Sequence, residues 1–449
     1  MSTRGSRPLA DLRSALDRLT VPPLLTAVAA LLLVLLLAVA GRHLLHLEPP
    51  SGGRIDVGTG DFLAFWTGAV LLHDGAGASL YDVSAQQHLQ AQILGGQSPQ
   101  FQGYLNPPLL AIALSLLVPL GYLPAFYAYV LACTILLVAG LVMLLRMVPS
   151  IRGHRLGAWT LVLVIASYQP MFQTTVGGQN TPVTFALLTG LALALQARSS
   201  GWAALALGLL TFKPQYAVGA GIALLFAGNW PVLAGGALLG GCHWLVGAWW
   251  SGLDWPLDML AFMRAYRPLE LAANADTHFS WVSVVNLLLP TPIASVLVAL
   301  GALAVLAAWW RFRELGRRGD PAWMALVVCG TMFASPHQQY YDVALLALPV
   351  AVLIDHHIAL RGSMPSLATR LLLAAAYVGY PLWSCSEWLR FQPLFLVLLG
   401  VSGWAIRCCM ESANAAALGE FAPQRLHVAA SHDAPGGPPA LAEDPGDRP

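Results

Sequence analysis

The chain has 449 residues, with 23 Lys and Arg against 22 Asp and Glu, a formal net charge of +1 that offers nucleic acid no basic face. Only 10% of its residues are charged and 57% are hydrophobic, where a soluble domain carries about 25% charged residues. Mean hydropathy is +0.65, and apolar runs of roughly 18 residues or more recur along the length, which excludes an ordinary soluble domain and reads as an all-α polytopic membrane protein.

Residues 1–20 are basic, with Arg4, Arg7, Arg13 and Arg18, and are expected on the cytoplasmic side because cytoplasmic loops are enriched in Lys and Arg. The apolar run 21–47 exceeds the roughly 7–15 residues of a signal-peptide core and lacks a small-residue cleavage site, so it reads as a signal anchor. It delivers the loop 48–104 to the outside. Further spans are expected near 156–173, 180–197, 200–212, 214–228, 230–250, 292–310, 322–336, 340–356, 367–384 and 391–408. Arginines cluster in 146–155, at Arg198, in 311–318 and in 361–370. If these all face the cytoplasm, 104–147 makes one net crossing. A re-entrant or interfacial stretch at 106–120, bounded by Pro107, Pro108 and Pro119, followed by one span from Tyr122 satisfies that count. The sum is about twelve crossings in a membrane domain 21–410, and residues 411–449 read as a disordered cytoplasmic tail, rich in Ala, Pro, Gly and Asp. The six cysteines, Cys133, Cys242, Cys329, Cys385, Cys408 and Cys409, form no metal-type pair and no disulfide framework.

With this topology the outer face gathers the polar and aromatic residues, and the inner face little beyond arginine. Asp61 follows Gly58-Thr59-Gly60 and opens the stretch Phe62-Leu63-Ala64-Phe65-Trp66. It reads either as a general base at the membrane–water interface or as the N-cap of a helix from Phe62. Lys213, the one lysine of the chain, lies between apolar spans and precedes Pro214. It suits the phosphate of a lipid-linked donor, or it snorkels to the headgroups. His337, after Ser335-Pro336 and before Gln338, Gln339, Tyr340, Tyr341 and Asp342, suits contact with a phosphate or sugar, or a place in an interfacial aromatic belt. Gln179 and Asn180 after Gly177-Gly178 fit a sugar or phosphate contact at a helix N-terminus, or a glycine turn with an Asn cap. Tyr104 and Asn106, before Pro107-Pro108, fit the wall of the same cavity, or a helix start with proline in its first turn. Asp82 reads as a cap. No metal site is indicated, because Asp61 has no neighbouring acid and the histidines are scattered; no P-loop or dinucleotide fingerprint is present.

Taken in order, Asp61-Phe62-x-x-Phe65-Trp66, Leu80-Tyr81-Asp82, Tyr104-x-Asn106-Pro107-Pro108, Gly178-Gln179-Asn180, Lys213-Pro214 and Ser335-Pro336-His337 with its tyrosines resemble glycosyltransferase family 87 over roughly residues 20–410. That family has the membrane-embedded GT-C fold and includes a polyprenyl-phosphate-mannose-dependent α-1,2-mannosyltransferase. The resemblance implies an inverting hexose transfer, mannose by default, from a polyprenyl-phosphate donor to a lipid or glycan acceptor. The reaction would occur on the periplasmic side of the cytoplasmic membrane, without a cofactor. It implies Asp61 as base and His337 in the site, and it matches Lys213 to a Lys-Pro pattern; Lys213, Gln179, Asn180, Tyr104, Asn106, Gln338 and Tyr341 are the expected donor contacts. Two rivals remain: a transporter or flippase of lipid-linked sugars, which would need a polar path across the bilayer, and a non-catalytic subunit of an envelope assembly.

Overall fold

A computed structural model describes residues 22–48, 60–96, 101–154, 156–274, 277–363, 365–378, 385–389 and 392–417. The N-terminal arginines and residues 418–449 lie outside the described residues. Among those described there is no β-strand, and 18 helices have eight residues or more. In chain order these are α1 (Pro22–Leu45), α2 (Phe62–His73), α3 (Val83–Leu94), α4 (Pro108–Ser115), α5 (Tyr122–Met147), α6 (Gly157–Ser167), α7 (Gln169–Val176), α8 (Thr181–Gln196) and α9 (Ser200–Leu209). They continue with α10 (Pro214–Ala227), α11 (Trp230–Ser251), α12 (Trp255–Asn274), α13 (Trp281–Leu288), α14 (Thr291–Arg311), α15 (Pro321–Ala334), α16 (Ala347–Arg361), α17 (Leu367–Val378) and α18 (Leu394–Ala417).

Proline sets many of the starts. Pro108, Pro170, Pro182, Pro214, Pro231, Pro292 and Pro321 all sit in the first turn of their helices, where the missing N–H has no intrahelical partner to lose. Asp82 caps α3 as expected, accepting from the Ala85 N–H at 2.8 Å. Gly228 ends α10 in the left-handed conformation.

Among the described residues, six segments are long and apolar enough to cross a bilayer: Pro23–Leu45, Tyr122–Met147, Trp230–Ser251, Thr291–Arg311, Tyr340–Arg361 and Leu394–Ala417. Six shorter apolar helices accompany them. This is an all-α polytopic membrane architecture. Residues 104–147 resolve into short α4, a 3-10 turn at Val118–Leu120 and long α5, the division expected from the prolines. The expected span 156–173 is instead two helices, broken where Tyr168 leaves helical geometry with ψ 110° and Pro170 takes the first turn of the second helix. The last helix continues to Ala417, past the boundary drawn at residue 410.

Two cores organise the chain. The larger is largely aliphatic and joins α5 to α11 with α15, α16 and α18. The second is rich in aromatics and holds the outer segments: Phe62, Phe65, Trp66, Tyr81, Tyr104, Phe126, Tyr129, Trp255, Phe262 and Tyr266. Phe62 meets Phe126 and Tyr122 edge-to-face at 5.3 and 5.4 Å, and Trp66 meets Tyr122 the same way at 5.6 Å. Pairs of this kind contribute about 0.5–1.5 kcal/mol each beyond their buried area. Helix α2 is apolar all round, buried on nearly every residue, and packed against α4.

One turn locks the two layers. Gly178 has φ +70°, and a Cβ there would stand 2.9 Å from the Phe126 ring and 3.3 Å from the Phe62 Cβ. Gly178→Ala combines a disfavoured backbone with overpacking of the aromatic core. It is expected to cost about 1–3 kcal/mol, read as a lowered unfolding midpoint of the purified protein in detergent.

Candidate active site

A cavity of about 840 Å³ opens where the outer segments meet the bundle, within the range of small-molecule sites. Asp61, Asn106, Gln179, Asn180, Lys213, His337 and Tyr341 all line it. Segments as far apart in sequence as α2 and the turn before α16 thus bring seven of the nine expected residues together.

Asp61 stands at the N-terminal boundary of α2, but its side chain makes no capping bond. Its backbone carbonyl accepts from Ala64 N, which suffices to start the helix. The carboxylate instead takes a hydrogen bond from the Tyr341 hydroxyl at 3.0 Å on Oδ2. Among the described residues that is its one side-chain hydrogen bond, which leaves carboxylate capacity facing the cavity for a substrate hydroxyl.

Lys213 does not snorkel. It is 7% exposed, and its Nζ donates to Asp342 Oδ1 at 2.8 Å, with the Tyr216 ring 5.7 Å away. Asp342 is 2% exposed and also accepts from Thr181 Oγ1 at 3.0 Å, at the start of α8. The lysine sits where the 3-10 turn Leu210–Phe212 breaks the chain between α9 and α10, and Pro214 restarts the helix. Irregular backbone at this depth is tolerable because it is packed in protein and faces the cavity.

His337 hydrogen-bonds through Nδ1 to Glu270 Oε1 at 3.0 Å, and His278 approaches the same oxygen through Nε2 at 3.5 Å. Glu270 lies near the end of α12, whose Met259, Met263 and Tyr266 also line the cavity. An isolated antiparallel bridge pairs His278 with Gln339, and the Phe279 N–H donates to the Gln338 carbonyl at 3.1 Å; this pairing holds the loop before α13 against the loop after α15. Burial alone would raise the Glu270 carboxyl, but hydrogen bonds from His278 and His337 outweigh it and hold the group well below the usual carboxylate range. Burial works against a charged His337, yet the bond and charge of Glu270 prevail and raise it.

Asn180 is not a side-chain cap; its Nδ2 donates to Asn106 Oδ1 at 3.0 Å, tying the start of α8 to the start of α4. Tyr104 and Gln338 do not line the cavity. Tyr104 is fully buried, and its hydroxyl donates to the Pro107 carbonyl at 2.7 Å and accepts from Ala111 N at 3.0 Å, which secures the entry to α4. Gln338 is fully buried and donates to the Tyr216 hydroxyl at 2.8 Å, while its neighbour Gln339 reaches the cavity. Sequence reasoning missed Glu270 and His278 and gave Asp342 no role. The histidines, scattered in sequence, are not scattered here: His278 and His337 converge on Glu270.

The model of glycosyltransferase family 87 matches residues 104–336, just over half of the chain. No curated protein and no solved structure matches. The matched region runs from Tyr104 to Pro336, so Asp61 and His337 fall outside it and their roles rest on the geometry above.

Proposed function

The chain belongs to glycosyltransferase family 87, and from that premise we propose that this membrane glycosyltransferase moves a hexose, mannose first among candidates, from a polyprenyl-phosphate donor to a lipid or glycan acceptor, with inversion. The observation that carries this reading is the shared cavity in which the Asp61 carboxylate lines the same wall as a cation, Lys213, and His337. In the proposed reaction Asp61 takes the proton of the acceptor hydroxyl as its oxygen bonds to the sugar C1. The bond from C1 to the donor phosphate breaks with its electron pair left on phosphate. The phosphate needs charge stabilisation rather than a proton, and Lys213 and His337 offer it. Tyr341 orients Asp61, and Asn106, Gln179 and Asn180 are placed for sugar hydroxyls. The apolar wall from α12 shields the reacting centre from water. The proposal puts the reaction on the periplasmic side of the cytoplasmic membrane; the arginine clusters, expected on the cytoplasmic side, support that reading.

The transporter reading is separated by a vesicle assay. Purified protein in lipid is given polyprenyl-phosphate-mannose and envelope lipids. A new glycosidic product without movement of the donor across the bilayer supports the transferase; movement of the intact donor with no product would replace it with a transporter.

A further inference from the structure

We propose that Glu270 Oε1, His278 Nε2 and His337 Nδ1 form a site for one divalent first-row cation, Zn²⁺ fitting best, placed to receive the departing phosphate. The proposal deepens the reading of a lipid-phosphate donor and takes its charge argument from it.

Three segments supply the atoms: the end of α12, the loop before α13 and the loop after α15. All three atoms lie within 4.8 Å of one another. The carboxylate oxygen stands 3.0 Å from one imidazole nitrogen and 3.5 Å from the other. Ligand atoms about 2.1 Å from a tetrahedral metal are separated by about 3.4 Å, so two of these separations already suit a cation. Two imidazoles and one carboxylate form a donor set that Zn²⁺ accepts, with the fourth position left open. Here Glu270 and His337 line the cavity, so that position faces the substrate.

Gln339 stands beside the cluster, its Nε2 3.2 Å from both Glu270 Oε1 and His278 Nε2, while its Oε1 accepts from the Thr277 hydroxyl. A hydroxyl accepts as readily as it donates. Turned over, the amide presents its oxygen to a cation and its NH₂ to Thr277.

Charge favours the cation. The cavity is lined by three acids, Asp61, Glu270 and Asp342, and by one permanent cation, Lys213. A donor phosphate adds another negative charge. One divalent ion offsets two of these three negative charges and places a Lewis acid where the phosphate leaves.

A second cluster, His356, Cys408 and Glu411, also has ligand spacing, but Arg361 and Arg407 already pair with Glu411 at 2.9 and 3.3 Å. It provides the control. Protein in lipid nanodiscs is stripped with EDTA, dialysed, and titrated with Zn²⁺ and with Co²⁺, with bound metal counted by elemental analysis and the Co²⁺ visible spectrum recorded. The wild type and Cys408→Ser should each hold one equivalent, with a Co²⁺ spectrum free of thiolate charge transfer. Glu270→Gln and His278→Asn, checked for unchanged unfolding midpoints, should bind more weakly by over the roughly 10–100-fold that losing an outer partner costs. A wild type without stoichiometric metal overturns the proposal, as does metal that survives Glu270→Gln or leaves with Cys408→Ser. The count is made with no donor present, so metal binding and sugar transfer fail or stand separately.

Discussion

Asp61→Asn is expected to lower kcat/KM for sugar transfer by about 10²–10⁴, the range that a positioned general base contributes. The change keeps the shape of the side chain and one oxygen able to accept from Tyr341, and α2 needs no capping bond from this side chain, so the fold should persist. Loss of activity with an unchanged unfolding midpoint and unchanged donor binding is the expected pattern. Equal transfer by variant and wild type would remove Asp61 as the base and move attention to His337.

Lys213→Met should act on stability first. The Lys213–Asp342 pair is buried at 2.8 Å, with side chains 9% and 2% exposed, and removing the lysine strands a carboxylate in the interior. Breaking a buried pair from one side costs about 3–5 kcal/mol, whereas replacing both partners by apolar groups of similar volume is often neutral or stabilising. Unfolding in detergent should therefore show Lys213→Met strongly destabilised and the double variant Lys213→Met with Asp342→Leu largely restored. Transfer should stay lost in the double variant, because the cation for the donor phosphate is still missing. Restored stability with restored transfer would make the pair purely structural.

What the sequence disclosed follows from what local pattern can carry. Long apolar runs between prolines and arginine clusters disclosed α1, α5, α11 and α14, since hydropathy and helix starts are local properties. Lys213 stood out because a charge between apolar spans is costly wherever it lies. Its partner could not be read, because Asp342 is 129 residues away, and Tyr341 is 280 residues from Asp61. Glu270 was hidden for another reason. Asp258, Arg264, Arg267 and Glu270 alternate with apolar residues along α12 and look like the solvated side of an outer loop. Only the fold shows that Glu270 turns to the cavity while Arg264 and Arg267 stay exposed and do not line it. Tyr104 and Gln338 misled in the opposite sense: polar tips beside site residues are as readily consumed by neighbouring backbone or side chains, and the Pro107 carbonyl and the Tyr216 hydroxyl took them. The family match, from residue 104 to residue 336, could not supply Asp61 or His337 either.

The stereochemistry of the product tests the central claim most directly. A single displacement, with Asp61 deprotonating the acceptor opposite the departing phosphate, yields the anomer opposite to that of the donor. The configuration at C1, read by nuclear magnetic resonance on product from purified protein and a donor of known anomeric form, should be fully inverted. Retained configuration would require a covalent sugar–enzyme intermediate and would contradict the assignment of Asp61 as a base.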